Sequence, residues 1–286
     1  MLQDINQKTD LIKLFCKDLK KIAYQKWESE HQTFSNFLEI AYCVVHNTNY
    51  HLWVFLQDEA FEKMEQKYME LITKYHEQRF DIAKMYWYLL TFYQIKKNYD
   101  DFLWVIIEEE KMTSDSKGQF FTPIHVCNAM AEMIFWEKEI KEKWYFTLQE
   151  PCCWAGRMII AMANVTKQAW YDGRTQMIFE ATDIDRNCFL MTYIQTALLG
   201  LSWIVKWWDA LSFKDYEAQE TPMLKIIQSQ ENIKRVQTLQ SQIKAMEIIE
   251  KMQAIISDTK QTVETKINHD YEFQRQDSWL VQWILF

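Results

Sequence analysis

Three runs decide the fold: Trp144-Tyr145-Phe146-Thr147-Leu148-Gln149-Glu150-Pro151-Cys152, then Met177-Ile178-Phe179-Glu180-Ala181-Thr182-Asp183-Ile184, then Trp203-Ile204-Val205-Lys206-Trp207. Each is short, apolar and strand-like, with aromatic and β-branched residues. Between them, Met158 to Ala169 and Asn187 to Leu199 carry helical periodicity. Strand, helix, strand, helix, strand predicts a parallel sheet with crossover helices, an α/β fold.

Outward from this core, residues 1–110 read as helix after helix. Leu11, Leu14, Phe15 and Leu19 share one face at helical spacing, as do Phe34, Phe37, Leu38 and Ala41, and Ile82, Met85, Leu89 and Phe92. The reading is an α-helical N-terminal domain (1–110), an α/β core (111–220) and a C-terminal helical segment (221–286). In the last, Val236, Leu239, Ile243, Met246, Ile249, Met252 and Ile256 fall at threes and fours, an amphipathic helix suited to a homo- or hetero-oligomer contact. The tail 278–286 is apolar and fits a strand or a docking segment. Thr221-Pro222 reads as a helix start.

Composition narrows the classes. About half of the 286 residues are hydrophobic, enough for a sizeable core, and the abundance of aromatics argues against disorder. Only 4 Gly and 3 Pro are present against 13 Trp. A glycine-poor chain tends to be helical, because tight turns and close backbone approaches need glycine. The net charge of −8 gives no general attraction to a phosphate backbone. The 6 Cys include no C-x-x-C pair and read as reduced, mostly buried thiols. No cluster has metal-ligand spacing, so no metal is expected. No stretch is long and apolar enough to span a bilayer, and residues 1–20 have no signal-peptide core. The expectation is a cytoplasmic protein without a membrane partner.

Three motifs carry the chemistry. Gly118-Gln119-Phe120-Phe121-Thr122-Pro123 turns the chain and starts a helix, whose free amides suit a carboxylate such as that of methionine. An ordinary helix cap is the plainer reading. Glu150-Pro151-Cys152-Cys153-Trp154-Ala155-Gly156-Arg157 lies where a strand hands over to a helix, the place where dinucleotide folds lay a ligand against the backbone. Phe179-Glu180-Ala181-Thr182-Asp183-Ile184-Asp185 ends the second strand on two carboxylates, which could equally cap the next helix. A weaker fourth stretch, Val205 to Leu211, ends near Asp209. His125, one turn into the helix after Pro123, reads as a partly buried structural residue.

In order and spacing these motifs resemble the cofactor domain of N-6 adenine DNA methylases, of the kind found as modification subunits of type I restriction systems. The resemblance covers about Asp101 to Leu211. It implies a Rossmann-like methyltransferase core, abbreviated relative to the full fold, and S-adenosylmethionine as cofactor. The cofactor would lie against Gln119, Phe120, Phe121, Thr122 and Pro123 at the helix start and Glu150, Ala155 and Gly156 in the loop. Asp183 would take the ribose hydroxyls, and Asp209 would stand near the adenine ring. DNA would be reached through a separate specificity subunit. The family's catalytic signature, Asn or Asp followed by Pro-Pro and an aromatic, does not occur: after Leu211 there is only Pro222. No catalytic residue is therefore named. Trp154 and Trp208 stand where the family pattern has glycine. Two functions follow: a methylase acting on adenine N-6 in DNA, or a catalytically inactive methylase-like binding or assembly protein.

Overall fold

The computed structural model describes residues 2–95, 99–112, 122–209, 212 and 214–230. Residues Met1–Lys225 form one compact unit and Ile226–Phe286 a second. Of the second unit only 226–230 are described, as helix. Gly118, Gln119, Phe120 and Phe121, the apolar repeat from Val236 to Ile256 and the tail 278–286 all lie outside the described residues.

The helices expected at the N-terminal end are present. They are α1 (Leu2–Lys26), α2 (Glu30–His51), α3 (Glu59–Lys74), α4 (Arg79–Gln94) and α5 (Phe102–Glu109). Side-chain caps start three of them: Ser29 accepts from the Gln32 amide at 3.1 Å, Asp58 from Phe61 at 2.9 Å and Asp101 from Trp104 at 3.1 Å. Leu11, Phe15 and Leu19 are buried as their spacing predicts, but Leu14 is exposed.

Next come α6 (Ile124–Ile134), α7 (Glu137–Lys143), β1 (Phe146–Glu150), α8 (Arg157–Gln168), β2 (Met177–Asp183), α9 (Arg186–Leu198), β3 (Ser202–Asp209) and β4 (Lys214–Glu220). The fold is mixed α/β. The sheet order is β1-β2-β3-β4, with β1–β2 and β2–β3 parallel and β3–β4 antiparallel. Phe146 sits opposite Met177, and Phe179 opposite Trp203. β1 starts two residues later than its apolar run because Trp144 is taken as the left-handed cap of α7. β4 was not expected. Its sequence, Lys-Asp-Tyr-Glu-Ala-Gln-Glu, is charged, which suits a sheet edge that must not recruit another strand.

One continuous core joins the N-terminal helices to the sheet. α9 packs on β2 and β3 and against α2. Tyr42 of α2 meets Phe189 and Tyr193 of α9 edge-on, at 5.8 and 4.9 Å between ring centres. Behind them Phe179 and the fully buried Trp203 are stacked. Arg186, at the start of α9, ties the same region with charge. It grips Glu39 of α2 through two bonds of 2.9 and 3.1 Å and also pairs with Glu217 of β4.

Candidate functional site

The carboxyl ends of β1 and β2 lie side by side, because the two strands are parallel and in register from Phe146↔Met177 to Glu150↔Ala181. The chain leaving β1 therefore has to turn over the end of β2. It does so through residues 151–156, fixed by backbone bonds. The Cys153 amide donates to the Thr182 carbonyl at 2.9 Å, and the Gly156 amide to the Cys153 carbonyl at 2.7 Å. Gly156 holds φ +84° just before α8, a conformation in which any side chain would be strained, and it packs beside Thr192.

Asp183 is the hub of this turn. Its two oxygens accept from the amides of Trp154 and Asp185, each at 2.9 Å, and the Ile184 amide assists. Burial lifts its carboxyl to about 6, against the pull of those backbone donors. Asp185 does what a helix cap does, accepting from Asn187 at 2.8 Å and from Cys188. The two carboxylates thus part company: one caps α9, the other organises the loop. Glu150 is half-buried at the end of β1, its carboxyl raised by desolvation while it accepts from the Cys152 amide at 3.2 Å.

The helix-start motif reaches the same place. Pro123 is the N-cap of α6 rather than a residue of its first turn, and its carbonyl accepts from Val126 and Cys127. The Thr122 carbonyl accepts from the Arg157 guanidinium at 3.3 Å. Thr122 and Ala155 face a common cavity together with Trp104, Cys127 and Trp154. Thr122, Gly156 and Asp183 are thus gathered around one loop. Asp209 is not among the residues lining that cavity. Its carboxylate accepts from the Ser212 amide at 3.2 Å, in the turn between β3 and β4. His125 is exposed rather than partly buried. Among the described residues no group of three His, Cys, Asp or Glu could hold a metal ion, and no helix is long and apolar enough to cross a membrane.

Sequence reasoning missed the support beneath the loop. Gln195 of α9 is fully buried and donates to the Ala155 carbonyl at 2.7 Å and to Asp101 at 3.0 Å. Its oxygen accepts from the Phe102 and Leu103 amides at 2.9 and 3.1 Å and from Tyr93. Asp101 in turn accepts from Arg157 Nε at 3.0 Å. Burial raises the Asp101 carboxyl despite that guanidinium. Thr192 donates to the Trp154 carbonyl at 2.8 Å. Asp101 was findable, as an N-cap residue before an apolar run. A lone Gln inside a helix gives no such signal.

Residues 95–203 match the N-6 DNA Methylase family model. The resemblance read from the motifs therefore holds at the level of the family. The methylase segment contains Thr122, Glu150, Ala155, Gly156 and Asp183, whereas Asp209 falls beyond its end. Neither a curated protein nor a solved structure matches the chain.

S-adenosylmethionine does not fit the methylase loop with these side chains. The cavity measures about 40 Å³, room for about three waters and far too little for a nucleoside. Its wall is the Trp154 indole, standing edge-on to Trp104 at 6.0 Å and 81°.

Proposed function

We propose that the chain descends from, and keeps the framework of, an S-adenosylmethionine-dependent DNA methyltransferase of the N-6 adenine class, working as a modification subunit with a Rossmann-like core. The observation that supports this best is the convergence of three segments at the carboxyl ends of two parallel strands, inside the stretch that matches the methylase family. Open α/β sheets bind ligands outside those strand ends. There the buried Asp183 carboxylate keeps about one lone pair beyond those its three backbone donors use, and Gly156 brings bare backbone up to the loop. Asp183 is the group for ribose hydroxyls, and the Thr122–Pro123 helix start is the group for the methionine carboxylate. A separate subunit would read the DNA, as the family resemblance implies; the net charge of −8 gives this chain no general attraction to a phosphate backbone.

A second reading, a methylase-like binding or assembly protein without turnover, is favoured by one observation: the cavity walled by Trp154. The test begins with calorimetric titration of S-adenosylmethionine into the full chain and into its Trp154→Gly variant. Methyl transfer to adenine N-6 in duplex DNA is then measured by nucleoside mass spectrometry. Binding by the variant that Asp183→Ala weakens at least tenfold is the expected result. If no chain binds the donor, the site is wrong. Transfer to cytosine instead of adenine refutes the base assignment.

A further inference from the structure

A positive φ crowds the Cβ of any L-residue against its own backbone, so glycine is the usual occupant and a bulky side chain there is an outlier. Among the described residues Gly156 and Gly200 take such a φ, and six others do too. Five of the six are tryptophan: Trp27 (φ 56°), Trp53 (59°), Trp144 (72°), Trp154 (53°) and Trp170 (67°), the sixth being Lys111. Tryptophan supplies 13 of 286 residues, so composition does not produce this pattern by chance.

The backbone around them is that of a glycine stop. Helices commonly end on one left-handed residue whose follower reaches back five residues to a carbonyl. Gly200 shows the motif: its amide meets Ala197 at 3.0 Å, and Leu201 reaches back to Thr196 at 2.9 Å. The same pair of bonds surrounds three of the tryptophans. Trp27 meets Tyr24 while Glu28 reaches Ala23, Trp53 meets Tyr50 while Val54 reaches Asn49, and Trp170 meets Lys167 while Tyr171 reaches Thr166. Trp144 is the left-handed cap of α7. Nor do the indoles gain burial in return. Trp27 is 91% exposed, Trp53 73%, Trp144 62% and Trp170 96%. An aromatic ring is being held in water on a backbone that suits glycine and disfavours a bulky side chain. The fifth, Trp154, lines the cavity of the methylase loop.

We infer that the working protein carries glycine at positions 27, 53, 144, 154 and 170, because its gene spells them UGA and the cells that make it read UGA as glycine. UGA is a stop in the standard code, but some cells decode it as tryptophan and others as glycine. Decoded in the first way, such a gene yields a chain poor in glycine and rich in tryptophan, with the excess at left-handed positions. In the glycine form the loop offers bare backbone at 154 as well as at Gly156, and the space taken by the indole opens beside Thr122 and Ala155. That last step rests on the proposed donor site, whereas the four exposed positions do not.

Peptide mass spectrometry of the protein isolated from its own cells reads the five positions directly. Glycine at them is the expected result, and tryptophan overturns the inference. In the recombinant full chain, Trp27→Gly, Trp53→Gly and Trp170→Gly should each favour folding by about fivefold, relief of the left-handed strain outweighing glycine's entropy. A triple variant with an unchanged or lower thermal midpoint contradicts the backbone argument. Titration of S-adenosylmethionine into Trp154→Gly keeps the two readings apart. Glycine in the native protein with no binding by the variant upholds the inference and removes the donor site. Tryptophan in the native protein with binding by the variant does the reverse.

Discussion

Gln195 is the residue whose loss the structure makes easiest to quantify. Its oxygen accepts from the amides of Phe102 and Leu103, which open α5 and have no partner within that helix. Its nitrogen satisfies the Ala155 carbonyl under the methylase loop and one oxygen of Asp101. The side chain, and Phe102 and Leu103 with it, are fully buried, so no water replaces the lost bonds. Gln195→Leu keeps shape and strands both amides and the Ala155 carbonyl. A buried polar group left unpaired costs about 1–3 kcal/mol, so the two amides alone amount to roughly 2–6 kcal/mol, against a total stability of about 5–15 kcal/mol. Urea unfolding followed by circular dichroism, with a slope of about 3 kcal/mol/M, should show a midpoint lower by about 0.7–2 M and the slope unchanged. Gln195→Glu sharpens the test. It keeps the acceptor but sets a second carboxylate beside Asp101, so this variant should recover stability as the pH falls and one of the pair takes up a proton. A midpoint for Gln195→Leu within about 0.3 M of the parent would show that the network does not hold the loop to α5.

Asp183, Arg186 and Trp203 each respond to substitution in a measurable way. The Asp183 carboxyl is raised from 3.8 to about 6, so the folded state holds its proton more tightly than the unfolded chain. Stability should therefore fall as the pH rises from about 4 to about 6, by roughly 3 kcal/mol, and Asp183→Asn should flatten that stretch. Parallel pH profiles for parent and variant would contradict the assignment. Arg186→Met leaves Glu39 and Glu217 without the guanidinium between them and should cost about 3 kcal/mol in urea unfolding, with a loss under about 1 kcal/mol counting against it. Trp203 buries its indole N–H with no acceptor among the described residues. Trp203→Phe gives up ring area but removes that donor, so the net loss should stay under about 1.5 kcal/mol, and a larger one would mean the indole nitrogen is satisfied.

The core of the fold was legible because buried strands write themselves as apolar runs and buried helix faces as helical periodicity. β1, β2, β3, α8 and α9 all lie within about two residues of their expected limits. β4 was hidden for the opposite reason: an edge strand with Lys, Asp and Glu has no reason to be apolar. Of the site, the loop glycine and the carboxylate at the end of β2 could be read from position along the chain, since parallel strands put those positions together. Gln195, Thr192 and Arg157 could not. Their importance comes from partners 35 to 102 residues away, and no local pattern encodes a contact at that range. Leu14 was expected on a buried face and His125 partly buried, and both are exposed, because position along a helix assigns a face but not what covers it.

The tie between α2 and α9 also bears on how this protein can be handled in pieces. A segment excised at the borders of its family match, 95–203, would lose Tyr42 and Glu39, and with them the cover over Phe189, Tyr193 and the Arg186 guanidinium. It would also end inside β3 and forfeit the edge strand. Such a fragment would have a greasy flank and an open strand, and would be expected to collect in inclusion bodies. The shortest piece worth expressing begins before α1 and runs past Thr221, whose hydroxyl pins the start of β3 by donating to the Leu201 carbonyl and accepting from the Trp203 amide.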